Sequence, residues 1–176
     1  MNEDEQTLAL LRTLDQLPGP DHLEFPDGFD YSLAKAQATR LEDRLTRDFR
    51  RACALDDQVQ DASFYFRIAL PAEATEADVP LGVRLSNFGN LAVVTTPGPD
   101  SHDDLDQAVQ EGALTAADRS RIETALHDLG YTLVRPALLH RPYDGVTRLA
   151  DEGFSHISYG PHQGRATWWT RYFEYL

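Results

Sequence analysis

Cysteine is almost missing from this 176-residue chain: Cys53 stands alone, so no internal disulfide can form. Lysine is almost missing as well, since 15 of the 16 basic residues are arginine. No apolar run approaches the ~20 residues that a membrane-spanning helix needs. The opening Met1-Asn2-Glu3-Asp4-Glu5 is acidic where a secretory signal is basic. These shortages predict a cytoplasmic setting and no membrane partner. The nucleotide loops Gly-x-x-x-x-Gly-Lys-Ser/Thr and Gly-x-Gly-x-x-Gly do not occur, and neither does the nucleophile elbow Gly-x-Ser-x-Gly. There are no zinc cysteines, and no two of the six histidines have His-x-x-x-His spacing. No cofactor and no metal is therefore expected. The acidic run Ser101-His102-Asp103-Asp104 with Asp106 lacks the glycine and spacing of an EF-hand, and it reads as a solvated loop.

Charge of one sign is what the chain has in excess. Sixteen basic and 29 acidic residues give a formal charge of −13. The excess sits in two blocks: residues 1–30 carry a net −7 and residues 61–112 another −7, whereas 31–60 carry +1 and 113–176 are balanced. Such a field repels nucleic acid and anionic lipid and favours a basic partner. Apolar residues at 41% and aromatics at 10% are enough for a packed core, so disorder is excluded.

Periodicity then sets the architecture. Leu8, Leu11 and Leu14 predict a helix over 3–17, stopped by Pro18-Gly19-Pro20. Residues 18–30 read as an irregular connector. Ala34, Ala38, Leu41, Leu45, Phe49 and Ala52 form one stripe of a helix over 32–55. Arg40, Arg44, Arg47 and Arg51 flank that stripe as a solvated face, and Cys53 falls near it as a buried, inert thiol. Phe64, Phe66, Ile68 and Leu70 alternate as a strand, and strands over 81–86 and 91–96 flank the hairpin turn Asn87-Phe88-Gly89-Asn90. Thr115 is the expected N-cap of a helix over 115–129, Gly130 its C′ glycine, and 131–135 a further strand. Residues 137–150 show no period. Ala166 to Leu176 read as an aromatic terminal strand, with Trp168 to Tyr175 alternating between its two faces.

The fold expected is α+β in a single domain, with a helical part over 1–60 and a sheet-forming part over 61–176. Its sheet is antiparallel or mixed, has about five strands, and carries helices packed on it.

Two constellations bear on function. Ser155, His156, Ser158, Tyr159, His162, Gln163 and Arg165 bring acid/base and anion-binding groups into one stretch, with His140 and Arg141 before it. There His156, His162 or His140 is a candidate general base, and Arg165 a candidate anion holder. The C-terminal aromatics are the other constellation. Strand alternation assigns Trp169, Phe173 and Tyr175 to the core, and Trp168 and Tyr172 to a second packed layer or, with Tyr159, to a candidate protein interface. Acidity beside an aromatic face resembles in composition the bacterial immunity proteins that block cationic nuclease toxins; no sequence motif accompanies that likeness. The leading expectation is an acidic protein that works through protein–protein contact, as an inhibitor or immunity-type binder of a basic partner. The alternative is a small enzyme or ligand-binding domain using His156 to Arg165. A homo-oligomer is the third expectation.

Overall fold

The computed structural model describes residues 1–18, 23–97, 104–147 and 166–174. Helix α1 (Glu3–Asp15) begins at the N-cap Asn2, whose side chain and that of Glu5 form a capping box. Helix α2 (Tyr31–Phe49) begins at Asp30, whose carboxylate accepts from the Leu33 amide. The stripe Ala38, Leu41, Leu45 and Phe49 is buried, as its spacing predicts. The helix ends earlier than its apolar period. Arg50 turns into the left-handed region at φ 56, and Ala54–Asp56 leaves as an edge strand, β1. Extending the helix to 55 was favoured by Ala52 alone; pairing with the sheet wins instead. Two α2 side chains then satisfy the released backbone, because Thr46 accepts from the Cys53 amide and Glu42 from the Leu55 amide.

β1 is followed by β2 (Phe64–Leu70), β3 (Leu81–Ser86) and β4 (Leu91–Thr95), each antiparallel to its neighbour, and then by β5 (Thr132–Leu133), parallel to β4. This is a five-stranded mixed sheet, and the fold is α+β. The β3–β4 connection is the expected hairpin; Gly89 and Asn90 take φ 58 and 55, and Phe88 at its tip is fully buried. A bulge between Phe64 and Phe66 breaks the strict alternation of β2. Phe64 consequently leaves the Phe66–Ile68–Leu70 row and packs with Val59 and Ala62 under the Arg84 guanidinium.

Two helices precede β5. Helix α3 (Leu105–Gln110) lies where the sequence reads as acidic connector, and Leu105 and Ala108 anchor it. Helix α4 (Ala116–Asp128) has the expected caps, Thr115 at its start and Gly130 at φ 79 after its end. Helix α5 (Pro136–Leu139) starts on a proline at its first position.

The largest correction concerns the C-terminus. The segment expected as a terminal strand is a helix, α6 (Trp168–Phe173), capped by Thr167 together with Thr170. Alternation and helical spacing both place aromatics at useful positions over six residues. The Thr-x-x-Thr cap and the burial of Trp168 and Tyr172 on one face decide for the helix.

Apolar side chains separate into two bodies on the two sides of the sheet. One joins α2, α3 and α4 to Phe66, Ile68, Val83, Leu85, Ala92 and Val94. The other joins α1, α5 and α6 to Phe88, Leu91 and Val93. β4 feeds both, Ala92 and Val94 to one and Leu91 and Val93 to the other, as a central strand must. No helix among the described residues is long and apolar enough to cross a membrane.

Candidate functional site: an aromatic, acidic cleft

The connector ahead of α2 builds an open cluster of aromatic and acidic side chains. Phe25, Phe29, Tyr31, Tyr65 and Phe66 form one ring cluster, with centroids 5.6 Å apart for Phe25–Phe29, 5.7 Å for Phe29–Tyr65 and 5.3 Å for Tyr31–Phe66. Pro26 and Gly28, at φ 81, fold the connector so that both phenylalanines return to Tyr65. The cluster is not sealed. Tyr31 is 42% exposed and Leu33, on the first turn of α2, is 68% exposed. Single exposed apolar side chains are ordinary, but exposed Tyr and Leu beside three further half-buried rings make a contiguous patch.

The patch opens into a cleft of about 320 Å³ between the connector, α2 and the β3–β4 turn. Its floor is Phe66, Leu85 and Tyr131, and its wall carries Asn87 and Asn90. Asp27 and Asp30 stand among the lining residues, and no Arg, Lys or His does. Neither carboxylate forms an ion pair among the described residues; Asp30 accepts only from the Leu33 amide. Around the rim, Glu24 accepts from the Tyr65 hydroxyl at 2.7 Å. Asp57 pairs with Lys35 at 2.8 Å, and that hydrogen-bonded ammonium holds the Asp57 carboxyl below its ordinary range. Burial raises the Tyr131 phenol well above its ordinary range, so it stays a neutral hydroxyl.

The sequence-predicted sites fall elsewhere. His156, His162, Arg165 and Tyr159 lie outside the described residues, as do His102, Asp103 and Tyr175. His140 is described: its ring stacks on Trp169 with centroids 6.0 Å apart and planes 8° apart. The notch they share with Asp104 and Thr95 measures about 20 Å³, room on the scale of one water. Trp168 and Tyr172, expected at an interface, are instead in the core at 1% and 0% exposure. The helix explains the exchange, since positions i and i+4 share one face. Trp169, assigned to the core by strand alternation, is only half-buried, while Phe173 is buried as expected.

α6 also contributes a charge that the sequence does not flag. Arg171 is buried and donates from Nε to Asp15 at 2.6 Å, with its guanidinium 4.3 Å from the Phe88 ring centroid. Asp15 further accepts from the Tyr143 hydroxyl at 2.5 Å, the Val146 amide at 2.7 Å and the Thr147 hydroxyl at 2.8 Å. Burial pushes the Asp15 carboxyl up, but the donors Tyr143, Arg171, Val146 and Thr147 together outweigh it, so the net displacement is downward. Both carboxylate oxygens of Asp15 are occupied by these donors. This network ties α1, the 143–147 loop and α6 together; it is a structural device.

Cys53 is buried, and burial raises its thiol pKa, with Thr46 opposing and Glu42 adding to the rise. Among the described residues no three His, Cys, Asp or Glu side chains converge as metal ligands would. No protein-family model, curated protein or solved structure matches the chain.

Proposed function

We propose that this protein acts through contact with a basic protein partner, and that the partner docks on the surface formed by residues 23–33 and Tyr65. One observation carries the reading: an exposed aromatic and aliphatic cluster stands directly beside two carboxylates, Asp27 and Asp30, that form no ion pair among the described residues. Aromatic anchors with complementary charge at the edge are the composition of a binding surface. Lone acidic loops would only confer solubility, and a lone apolar patch would not choose a partner by charge. The −13 net charge accelerates encounter with a cationic surface and disfavours nucleic acid.

The alternative, an enzyme or ligand-binding domain over residues 156–165, has His140 as its described member, and that ring is stacked beside a water-sized notch. The docking surface is the better-supported reading.

The test is quantitative capture from the source cell with two isotope-distinguished baits, the native chain and Leu33→Arg. Leu33 is exposed enough for the substitution to leave the fold intact, and the new cation opposes a basic partner. The expected result is one or a few proteins of high isoelectric point enriched by the native bait and depleted by Leu33→Arg. Identical capture by both baits, or variant-sensitive proteins that are acidic, overturns the proposal.

A further inference from the structure

Resting on the partner reading above, we infer that the 320 Å³ cleft receives an arginine side chain of that partner, its guanidinium held between Asp27 and Asp30 and lying over the Phe66 and Tyr131 rings. Four features of the cleft select this chemistry. All the full charges among its lining residues are negative, which excludes anionic groups. Its volume is at the lower end of small-ligand pockets, so it suits one long side chain better than a bulky ligand. Its floor is aromatic, which favours a flat, weakly hydrated cation able to stack.

The fourth feature is unused acceptor capacity on buried walls. Asn87 is 5% exposed, and its Nδ2 donates to the carbonyls of Glu24 and Ala62 while Oδ1 has no partner. Tyr131 is 9% exposed, and its hydroxyl makes no hydrogen bond among the described residues. Of the two, Asn87 Oδ1 is the buried polar atom without a partner, which costs stability and calls for a reason. A guanidinium offers five N–H donors in a rigid fork, enough to serve two carboxylates and still reach a neutral oxygen. An ammonium offers three donors at one point. Arg40 of α2 acts on Tyr131 and is not among the lining residues of the cleft.

The test is a nuclear magnetic resonance titration of the full chain with three probes. They are Nα-acetyl-arginine methylamide, the corresponding lysine compound, and the citrulline compound, which keeps the shape of arginine and loses its charge. The expected result is saturable movement of the Gly28, Asn90 and Tyr131 amides with the arginine probe, weaker movement with lysine and none with citrulline. The double variant Asp27→Asn, Asp30→Asn should bind the arginine probe about tenfold more weakly, equivalent to about 1.4 kcal/mol. Asn caps a helix as well as Asp, so α2 keeps its start and the variant stays folded. Equal binding of citrulline or lysine, movement away from the cleft, or an unchanged double variant overturns the inference.

The two proposals fail separately. A basic partner sensitive to Leu33→Arg but indifferent to the double variant leaves the docking surface standing and removes the arginine site. Saturable arginine binding with no basic partner captured does the reverse.

Discussion

The two sides of the sheet are built on different physics. On the α2–α4 side the buried residues are mostly aliphatic, supplied by two helices of 19 and 13 residues, and the one buried carboxylate among them, Asp118, is held by Arg121 and the Glu76 amide at the edge of α4. On the α1–α6 side the cover comes from three pieces far apart in the chain: α1, the four-residue α5 and the six-residue α6. Short pieces bury too little surface to fix their own placement, so large rings and a charged network do it. Trp168 and Tyr172 stack there, with centroids 5.9 Å apart, and the Tyr172 hydroxyl donates to the Leu11 carbonyl at 2.6 Å. Asp15 and Arg171 pin the same helices by directional bonds. The long periodic helix α2 rests mainly on packing; the short, remote α5 and α6 need partners that accept a single geometry.

The sharpest way to break this comparison is to remove one charge. Arg171→Leu leaves the Asp15 carboxylate buried without its cation and should cost about 3–5 kcal/mol, measured by urea melts. Leu41→Ala on the opposite side should cost about 2–5 kcal/mol through a cavity. The two are told apart by repair. Asp15→Leu added to Arg171→Leu should recover part of the loss, because the stranded charge is gone. If Arg171→Leu melts like the native chain, the pair does not hold that side together.

Next in size is the tryptophan pair. Trp168→Ala should cost about 3–5 kcal/mol, since the side chain is 1% exposed and packs on Tyr143 and Tyr172. Trp169→Ala should cost clearly less, because that ring is half-buried and its indole donates to Glu174 near the surface. Thermal melts of the two variants decide it, and a larger loss for Trp169 would return the segment to strand-like facing.

That reversal shows how far the sequence could be followed. α2, the β3–β4 hairpin and α4 were legible because each rests on local signals. Leu41 and Leu45 repeat at helical spacing, Gly89-Asn90 permits the turn, and Thr115 and Gly130 punctuate α4. Six residues from Trp168 to Phe173 fit two periods equally, and only the tertiary partners of Trp168 and Tyr172 choose between them. The end of α2 was illegible for the same reason, since the strand Ala54–Asp56 exists through pairing with β2. As for the cleft, Phe25 and Phe29 read as connector residues and Tyr31 stands between that connector and the helix, and their aromatic content was the available signal. Their convergence on Tyr65 depends on a fold over residues 23–31 that no period encodes. The Asp15–Arg171 pair spans 156 positions, and Gly145 is needed because a Cβ there would collide with Asp15 and Tyr143.

Acid sharpens the comparison further. The folded Asp15 carboxyl lies below its unfolded value, so its contribution is fully present above about pH 4 and is lost as pH falls through the folded value. Stability measured by urea melts between neutral and strongly acidic pH should therefore fall more steeply in the native chain than in Asp15→Asn. Leu41→Ala, which touches no titrating group, should lower the whole curve and keep its shape. Parallel curves for the native chain and Asp15→Asn would show that this carboxylate is not linked to folding.

The smallest effects come from deleting one hydroxyl on each side. Tyr143→Phe removes a donor to the buried Asp15 carboxylate and an acceptor for the Thr147 amide, which lies 2.7 Å away. Hydrogen bonds to a charged group contribute about 1.5–3 kcal/mol, and the remaining Asp15 donors hold the loss near the lower end. Thr46→Val removes the acceptor of the Cys53 amide at 3.0 Å, a neutral bond worth about 0.5–1.5 kcal/mol. Phe and Val keep the shape of the residues they replace, so packing changes little and the difference reports on the polar atoms. The expected order is Tyr143→Phe above Thr46→Val, with unchanged dependence on urea concentration in both. Thr46→Val should also slow alkylation of Cys53, because Thr46 is the group that lowers a thiol pKa otherwise raised by burial. If Thr46→Val costs more than Tyr143→Phe, polar bonds matter as much on the aliphatic side as on the charged one, and the contrast between the two sides is one of residue type alone.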